Sequence, residues 1–378
     1  MKRARSALLV FLGGAILAEG GVRLFGADRF GSLVLLPYDV AEPITSGMRV
    51  DSESSYLVFD PDLGWRVGPN RHARNGLYNS NASGERTSGV PETGVEPWAT
   101  AFGDSFTHGD DVRDGETWLA RLGARGLPIV NSAVPGYGVD QAWLRYRRFK
   151  DRVRSRVVLI GVMADNIGRH VNRYRPFITP EERIFFVKPR FERNQGQLAL
   201  LTSPFRARAD YARPEGALKA SLFEVGQKDH FFEPRFYESS GLDHSRLLRI
   251  ARTLGLRPSR HSDWRSLYGN EEALGLTLAI VEGFVEEVRR DRRQPAIVFL
   301  PERTVALDVA EGRTPPTSSL LARLKRLDCP LIDLTVPVAR FVGKSGDSGH
   351  FLPHYSPALS QAVADYIAEW KRTEKSLP

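Results

Sequence analysis

From residue 98 onward, apolar positions fall into a repeating pattern. Residues 98–102, 128–133, 156–162, 296–300 and 331–334 are short apolar runs that read as strands. Within them, Val157 to Val162 and Ala296 to Leu300 carry no charge at all, the mark of strands buried on both faces. Residues 116–126, 140–152, 271–290, 318–327 and 356–371 read as helices. Strand–helix alternation of this kind predicts an α/β fold. Its sheet is parallel, with five strands, covered on both sides and joined by right-handed crossovers.

Three segments stand outside the alternation. Residues 26–97 are rich in Pro, Gly, Ser and Asn. There, Tyr56 to Arg66 reads as a strand and turn and Asn79 to Gly84 as an exposed loop, which predicts a small β-rich collar around the core. Residues 169–268 form an irregular, aromatic- and Arg-rich insertion within a unit of residues 98–372. An insertion at the carboxyl end of a sheet is expected to make a lid or a substrate wall. Its aromatics, Phe185, Phe186, Phe231, Phe232, Phe236 and Tyr237, are expected to form a local core. At the N-terminus, Lys2, Arg3 and Arg5 precede an apolar run from Ser6 to Ala18 that Glu19 stops. Positive charges before an apolar run predict a signal anchor. The run reaches the roughly 20 residues of a transmembrane helix only if it continues past Glu19 to Phe25. Residues 1–25 are therefore read as an uncleaved anchor, positive end inside, with the rest of the chain on the extracytoplasmic side. A buried N-terminal helix is the alternative.

Composition narrows the picture. The 378 residues are 42% hydrophobic and 26% charged, enough for one large or two small cores and unlike a disordered chain. The formal net charge is +8, much of it in arginine runs such as Arg145 to Arg148 and Arg289 to Arg293. These read as solvated helix faces, and with no binding motif beside them no nucleic-acid partner is expected. The single cysteine, Cys329, allows no intrachain disulfide, and no Cys/His spacing resembles a zinc site.

The chemistry gathers at strand ends. Gly103-Asp104-Ser105 follows the first strand, so a serine hydroxyl stands where open α/β sheets place their ligands. Asp104 is expected to hold that turn. After the second strand comes Asn131-Ser132-Ala133-Val134-Pro135-Gly136, whose glycine lets a backbone N–H approach a carbonyl oxygen. The third strand ends at Asp165-Asn166, and the Asn166 amide can donate to the same oxyanion. Just before the last helix, His350 and His354 are candidate bases for the serine. His108 and Arg169, beside their motifs, are candidate substrate contacts.

Taken together, these stretches resemble the SGNH, or GDSL, hydrolase family. The resemblance covers roughly residues 99–168 and 296–367 and leaves the insertion unexplained. It implies a flavodoxin-like three-layer α/β/α sandwich and ester hydrolysis or acyl transfer without metal or cofactor. It also implies Ser105 as nucleophile, Gly136 and Asn166 as oxyanion donors beside the Ser105 N–H, and His354 as base. Two features depart from the pattern. Asp165 precedes Asn166 where the family has Asn-Asp, and the usual Asp-x-x-His spacing fits Asp347 and His350 rather than His354. Either Asp347 reaches His354 across the turn, or a backbone carbonyl orients the imidazole of a Ser-His dyad. His350 is left as a second candidate near the substrate. The reading that follows is a membrane-anchored esterase acting on envelope glycan esters, acetyl esters above all. Alternatives are a polysaccharide O-acetyltransferase of the alginate type and a non-catalytic glycan-binding scaffold.

Overall fold

Five parallel strands make the central sheet: β1 (Ala99–Phe102), β2 (Ile129–Asn131), β3 (Val157–Met163), β4 (Gln294–Leu300) and β5 (Leu331–Asp333). They lie in the order β2-β1-β3-β4-β5, every neighbouring pair parallel. This is the flavodoxin-like doubly wound order, whose switch point falls between β1 and β3. The structure is a computed structural model, described for residues 13–373 and 377, except 15–16, 25–28, 31–32, 53, 88–93, 95, 181, 257–262 and 346–348.

The two-residue period of β3 splits the core. Val158, Ile160 and Val162 pack against the helices Val139–Phe149, Glu271–Arg290 and Ser318–Leu324. Val157, Leu159 and Met163 face the helices Trp118–Gly123, Thr335–Ser345 and Pro357–Thr373. Every β3 side chain is buried, which is why its sequence lacks the polar alternation of a one-sided sheet. Helices therefore cover both faces in three layers, as expected. Most edges shift from their expected places by a few residues, which is normal where capping decides the end.

The collar is less purely β than its composition suggests. It holds the hairpin Leu57–Asp60 and Gly64–Val67, but also a helix, Glu42–Val50. Pro43 sits in that helix's first turn, where the missing N–H costs nothing, so a residue that reads as a breaker here marks a start. The insertion contains the hairpin Arg190–Asn194 and Gln197–Leu201 and the helices Glu215–Gly226 and Arg246–Leu256. Its aromatics do form a core: Phe232 lies between Phe177 at 4.8 Å and Tyr237 at 5.4 Å. That core is continuous with the Glu271–Arg290 layer, so the insertion is fused to the sandwich rather than hinged over it. Residues 1–12, 15–16 and 25 of the expected anchor lie outside the described residues. Among the described ones, no helix is long and apolar enough to cross a membrane.

Gly161 links the sheet to the first loop. A side-chain carbon there would fall on the Thr107 hydroxyl, just past the serine turn. Gly161→Ala is expected to cost about 1–3 kcal/mol of stability by overpacking. A urea unfolding midpoint equal to the parent's would show that the strand and the turn are not in the contact described.

Candidate active site

Strand β1 delivers the chain into a four-residue helix, Ser105–His108, closed at both ends. The Asp104 carboxylate accepts the N–H groups of Phe106 and Thr107, at 3.0 and 3.3 Å, and so caps the start. Gly109, at φ 85°, turns the chain out at the other end, a left-handed geometry that glycine adopts without strain. Ser105 is the first helical residue, 5% exposed.

The neighbouring loops are tied to this turn. Beyond β2, Ser132 and Val134 donate backbone bonds to the carbonyls of Ala101 and Gly103, at 2.9 and 3.0 Å. The Asn131 amide donates to the His108 carbonyl at 3.0 Å. Gly136 has φ 82°, and a side chain there would strike Ile184 of the insertion. From the collar, the Trp65 indole N–H holds the Pro135 carbonyl at 2.9 Å. Beyond β3, Asn166 donates its amide to Asp104 at 2.9 Å while its own oxygen accepts the Met163 N–H at 2.9 Å. Among the described residues, neither the Ser105 nor the Gly136 backbone N–H has an acceptor. Two donors are thus left open beside the serine.

The imidazole comes from the far end of the chain. His354 places Nδ1 2.7 Å from Oδ2 of Asp111, and its backbone N–H approaches the same oxygen at 3.4 Å. Its ring packs on Phe106, the residue after the serine, at 5.0 Å. Tyr355, next in sequence, anchors the turn by donating its hydroxyl to the Pro301 carbonyl at 2.8 Å. Burial, the largest influence, pulls the His354 pKa down. The Asp111 hydrogen bond and the charges of Asp110, Asp111 and Asp104 outweigh it, so the net shift is upward. Asp111 shows the converse: burial pushes its carboxyl up, but His354 holds it below its usual value. With its Nδ1 hydrogen given to Asp111, the neutral ring keeps an Nε2 lone pair. No hydrogen bond joins the Ser105 hydroxyl to His354 or to any other described residue. Catalytic contacts of this kind commonly tighten only with substrate bound.

Several expectations change. Asp347 lies outside the described residues, and Asp111 already takes the hydrogen of His354 Nδ1. His350 packs on Phe341 at 5.0 Å with its Nε2 buried and unpaired, and nothing places it beside Ser105. His108 is not a substrate contact. It is fully buried, its Nε2 bonded to the Tyr56 hydroxyl at 2.8 Å and its Nδ1 to Asp110 at 2.6 Å. Arg169 is likewise spent within the protein, on the Tyr137 carbonyl at 2.7 Å, Asp165 at 2.9 Å and the charge of Asp104 at 3.7 Å. Asn166 keeps one amide hydrogen on Asp104. The other faces the Tyr137 carbonyl at a loose 3.5 Å. Among the described residues, no group of three His, Cys, Asp or Glu side chains is arranged to hold a metal ion.

Sequence reading missed Asp111 and Arg86. Asp111 adopts φ 69°, a left-handed conformation that an aspartate tolerates and that aims its carboxylate at His354. Arg86, from the collar, is buried and donates to the carbonyls of His108, Gly109 and Val112, at 2.9, 2.5 and 2.7 Å, holding the loop that carries Asp111. The only signal for Asp111 was an acid pair directly after the serine helix. Arg86 gave none.

No family model and no curated protein matches the chain. Among solved structures it is similar to a protein assigned to the lipolytic G-D-S-L family from Desulfitobacterium hafniense DCB-2. The identity is 14% and the TM-score 0.34, over 72% of this chain and 97% of that one. It is also similar to a member of the lipolytic G-D-S-L family from Veillonella parvula DSM 2008, at 9% identity and a TM-score of 0.35, over 72% of this chain and 96% of that one.

Asp111 raises the His354 pKa against burial, so Asp111→Asn should make the ring titrate at lower pH than in the parent. Imidazole NMR reads this directly. An unchanged titration would remove Asp111 as its partner.

Proposed function

We propose that the protein is a serine esterase of the SGNH type, cleaving carboxylic esters through a Ser105 acyl-enzyme. The observation that carries this reading is the His354–Asp111 hydrogen bond at the carboxyl edge of the sheet, beside a serine turn with two open N–H donors. Asp111 fixes the imidazole with Nε2 free. His354 takes the Ser105 proton as the hydroxyl oxygen bonds to the ester carbonyl carbon. The negative charge that forms on the carbonyl oxygen is stabilised by the N–H groups of Ser105 and Gly136 and by the second Asn166 amide hydrogen. His354 then returns the proton to the departing alcohol, and water, deprotonated by the same ring, releases the acid.

The finer reading is that the esters are acetyl groups on envelope glycans. Its support is the N-terminal sequence, where three positive charges before an apolar run would anchor the chain with the site outside the cytoplasmic membrane. A sugar hydroxyl in place of the final water would make the same site an acyltransferase.

Ser105→Ala should lower aryl acetate hydrolysis by about a thousandfold or more while the circular dichroism stays that of the parent. Unchanged turnover would reject the assignment. Hydrolysis needs neutral His354, whose pKa lies above the ordinary value of about 6.5. The rate should therefore rise with pH through and beyond that value, and a profile flat from about pH 5 to about pH 9 would show that no imidazole acts as base.

A further inference from the structure

The helix Arg246–Leu256 is inside out. A surface helix normally buries its apolar stripe and shows water its polar one. Here the inward side is polar. Arg246 and Thr253 are buried, Arg249 donates to the Leu36 carbonyl at 2.7 Å, and Thr253 accepts the Leu36 N–H at 2.9 Å. Arg252 clasps Asp243 with both contacts at 2.9 Å. The outward side carries Leu248, Ala251 and Leu254, three residues apart and all exposed. Leu242, in the turn just before, is exposed as well.

The same corner receives the N-terminal segment. The Glu19 carboxylate accepts the Ser245 hydroxyl at 2.9 Å and the first N–H groups of the helix, from Arg246 at 2.7 Å and Leu247 at 3.0 Å. Arg23 donates to the His244 carbonyl at 2.8 Å. Leu17 and Leu24, on either side of Glu19, are 79% and 85% exposed. Five of the ten large apolar side chains exposed among the described residues therefore gather here. Single exposed leucines need no explanation, but a cluster marks a contact surface. The apolar run from Ser6 to Ala18 ends at the residue bound to this helix, so a bilayer holding that run would stand against the leucines.

We propose that the Arg246–Leu256 helix is a second membrane contact, seated in the headgroup–acyl boundary of the bilayer beside the N-terminal run. The proposal rests on reading the N-terminal apolar run, residues 6–18, as held in the membrane. Most interfacial helices add electrostatic attraction through basic residues on their polar face. In this helix Arg249 and Arg252 are held by the protein, so the contact is apolar and indifferent to anionic lipid.

The test uses the full chain with Cys329→Ser. One added cysteine, Leu248→Cys or Leu254→Cys, carries an environment-sensitive fluorophore, and Leu200→Cys on the Gln197–Leu201 strand is the control. Each variant is kept only if its circular dichroism matches the parent's, then mixed with phosphatidylcholine vesicles containing spin-labelled lipid. For a helix about 5–10 Å into the boundary, about half or more of the Leu248 and Leu254 probe emission should be lost. The loss should be the same when phosphatidylglycerol is added, and the Leu200 probe should be spared. Three results overturn the proposal: quenching no greater than at Leu200, quenching only with anionic lipid, or a blue shift without quenching, which would mean a second copy covers the face. If the chain floats with the vesicles in those cases, the anchor reading survives. If the chain does not float at all, both fail.

Discussion

A buried carboxylate is the constraint on which the site depends. Asp104 is almost wholly removed from water, and a charge in that position is costly unless other groups answer it. Burial pushes its pKa up, while the Arg169 guanidinium, the Asn166 amide and the Thr107 N–H act to hold it down. Those groups come from its own turn, from the loop after β3 and from the helix that follows. Satisfying one charge thus pulls separate segments together, and Ser105 is the next residue in the chain. The ester chemistry proposed for the site uses none of Asp104's oxygens, yet the Ser105 turn and the Asn166 amide are both held by them.

The collar extends the same logic. Its Arg86 neutralises a row of carbonyls in the loop after the serine helix, and its Tyr56 bonds His108 from the side. Trp65 fixes the carbonyl just before Gly136. A segment rich in turn-forming residues, with little core of its own, therefore sets the geometry of two site loops at once. His108 has become part of this scaffold, and burial pulls its pKa down so that the neutral form is favoured.

The carboxylate that meets His354 comes from an unexpected place. The imidazole hangs on the last turn before the C-terminal helix, where Phe351 occupies the position that the Asp-x-x-His spacing would give to an acid for His354. The carboxylate is supplied instead from the loop after the Ser105 helix, 243 residues away in sequence. What the reaction needs is a carboxylate within hydrogen-bond reach of Nδ1, and the chain position that supplies it is free to vary. The left-handed conformation of Asp111 is what brings the carboxylate across.

The sequence by itself determined the layered sheet, because charge-free runs such as Val157 to Val162 can be buried only between two helical layers. It also determined the strand-end location of Ser105, Gly136 and Asn166, since turns with Gly, Asp and Asn follow strands at that edge, and the place of His354 in the turn before the last helix. Tertiary structure alone decided what those side chains meet. Arg169, His108 and His350 look equally free in the sequence, but whether a polar group serves substrate or scaffold depends on which distant carbonyls and carboxylates close around it. The same holds for Asp111 and for the inverted Arg246–Leu256 helix. A backbone twist at one aspartate and the side on which a helix docks are set by contacts hundreds of residues apart, and no local pattern encodes them.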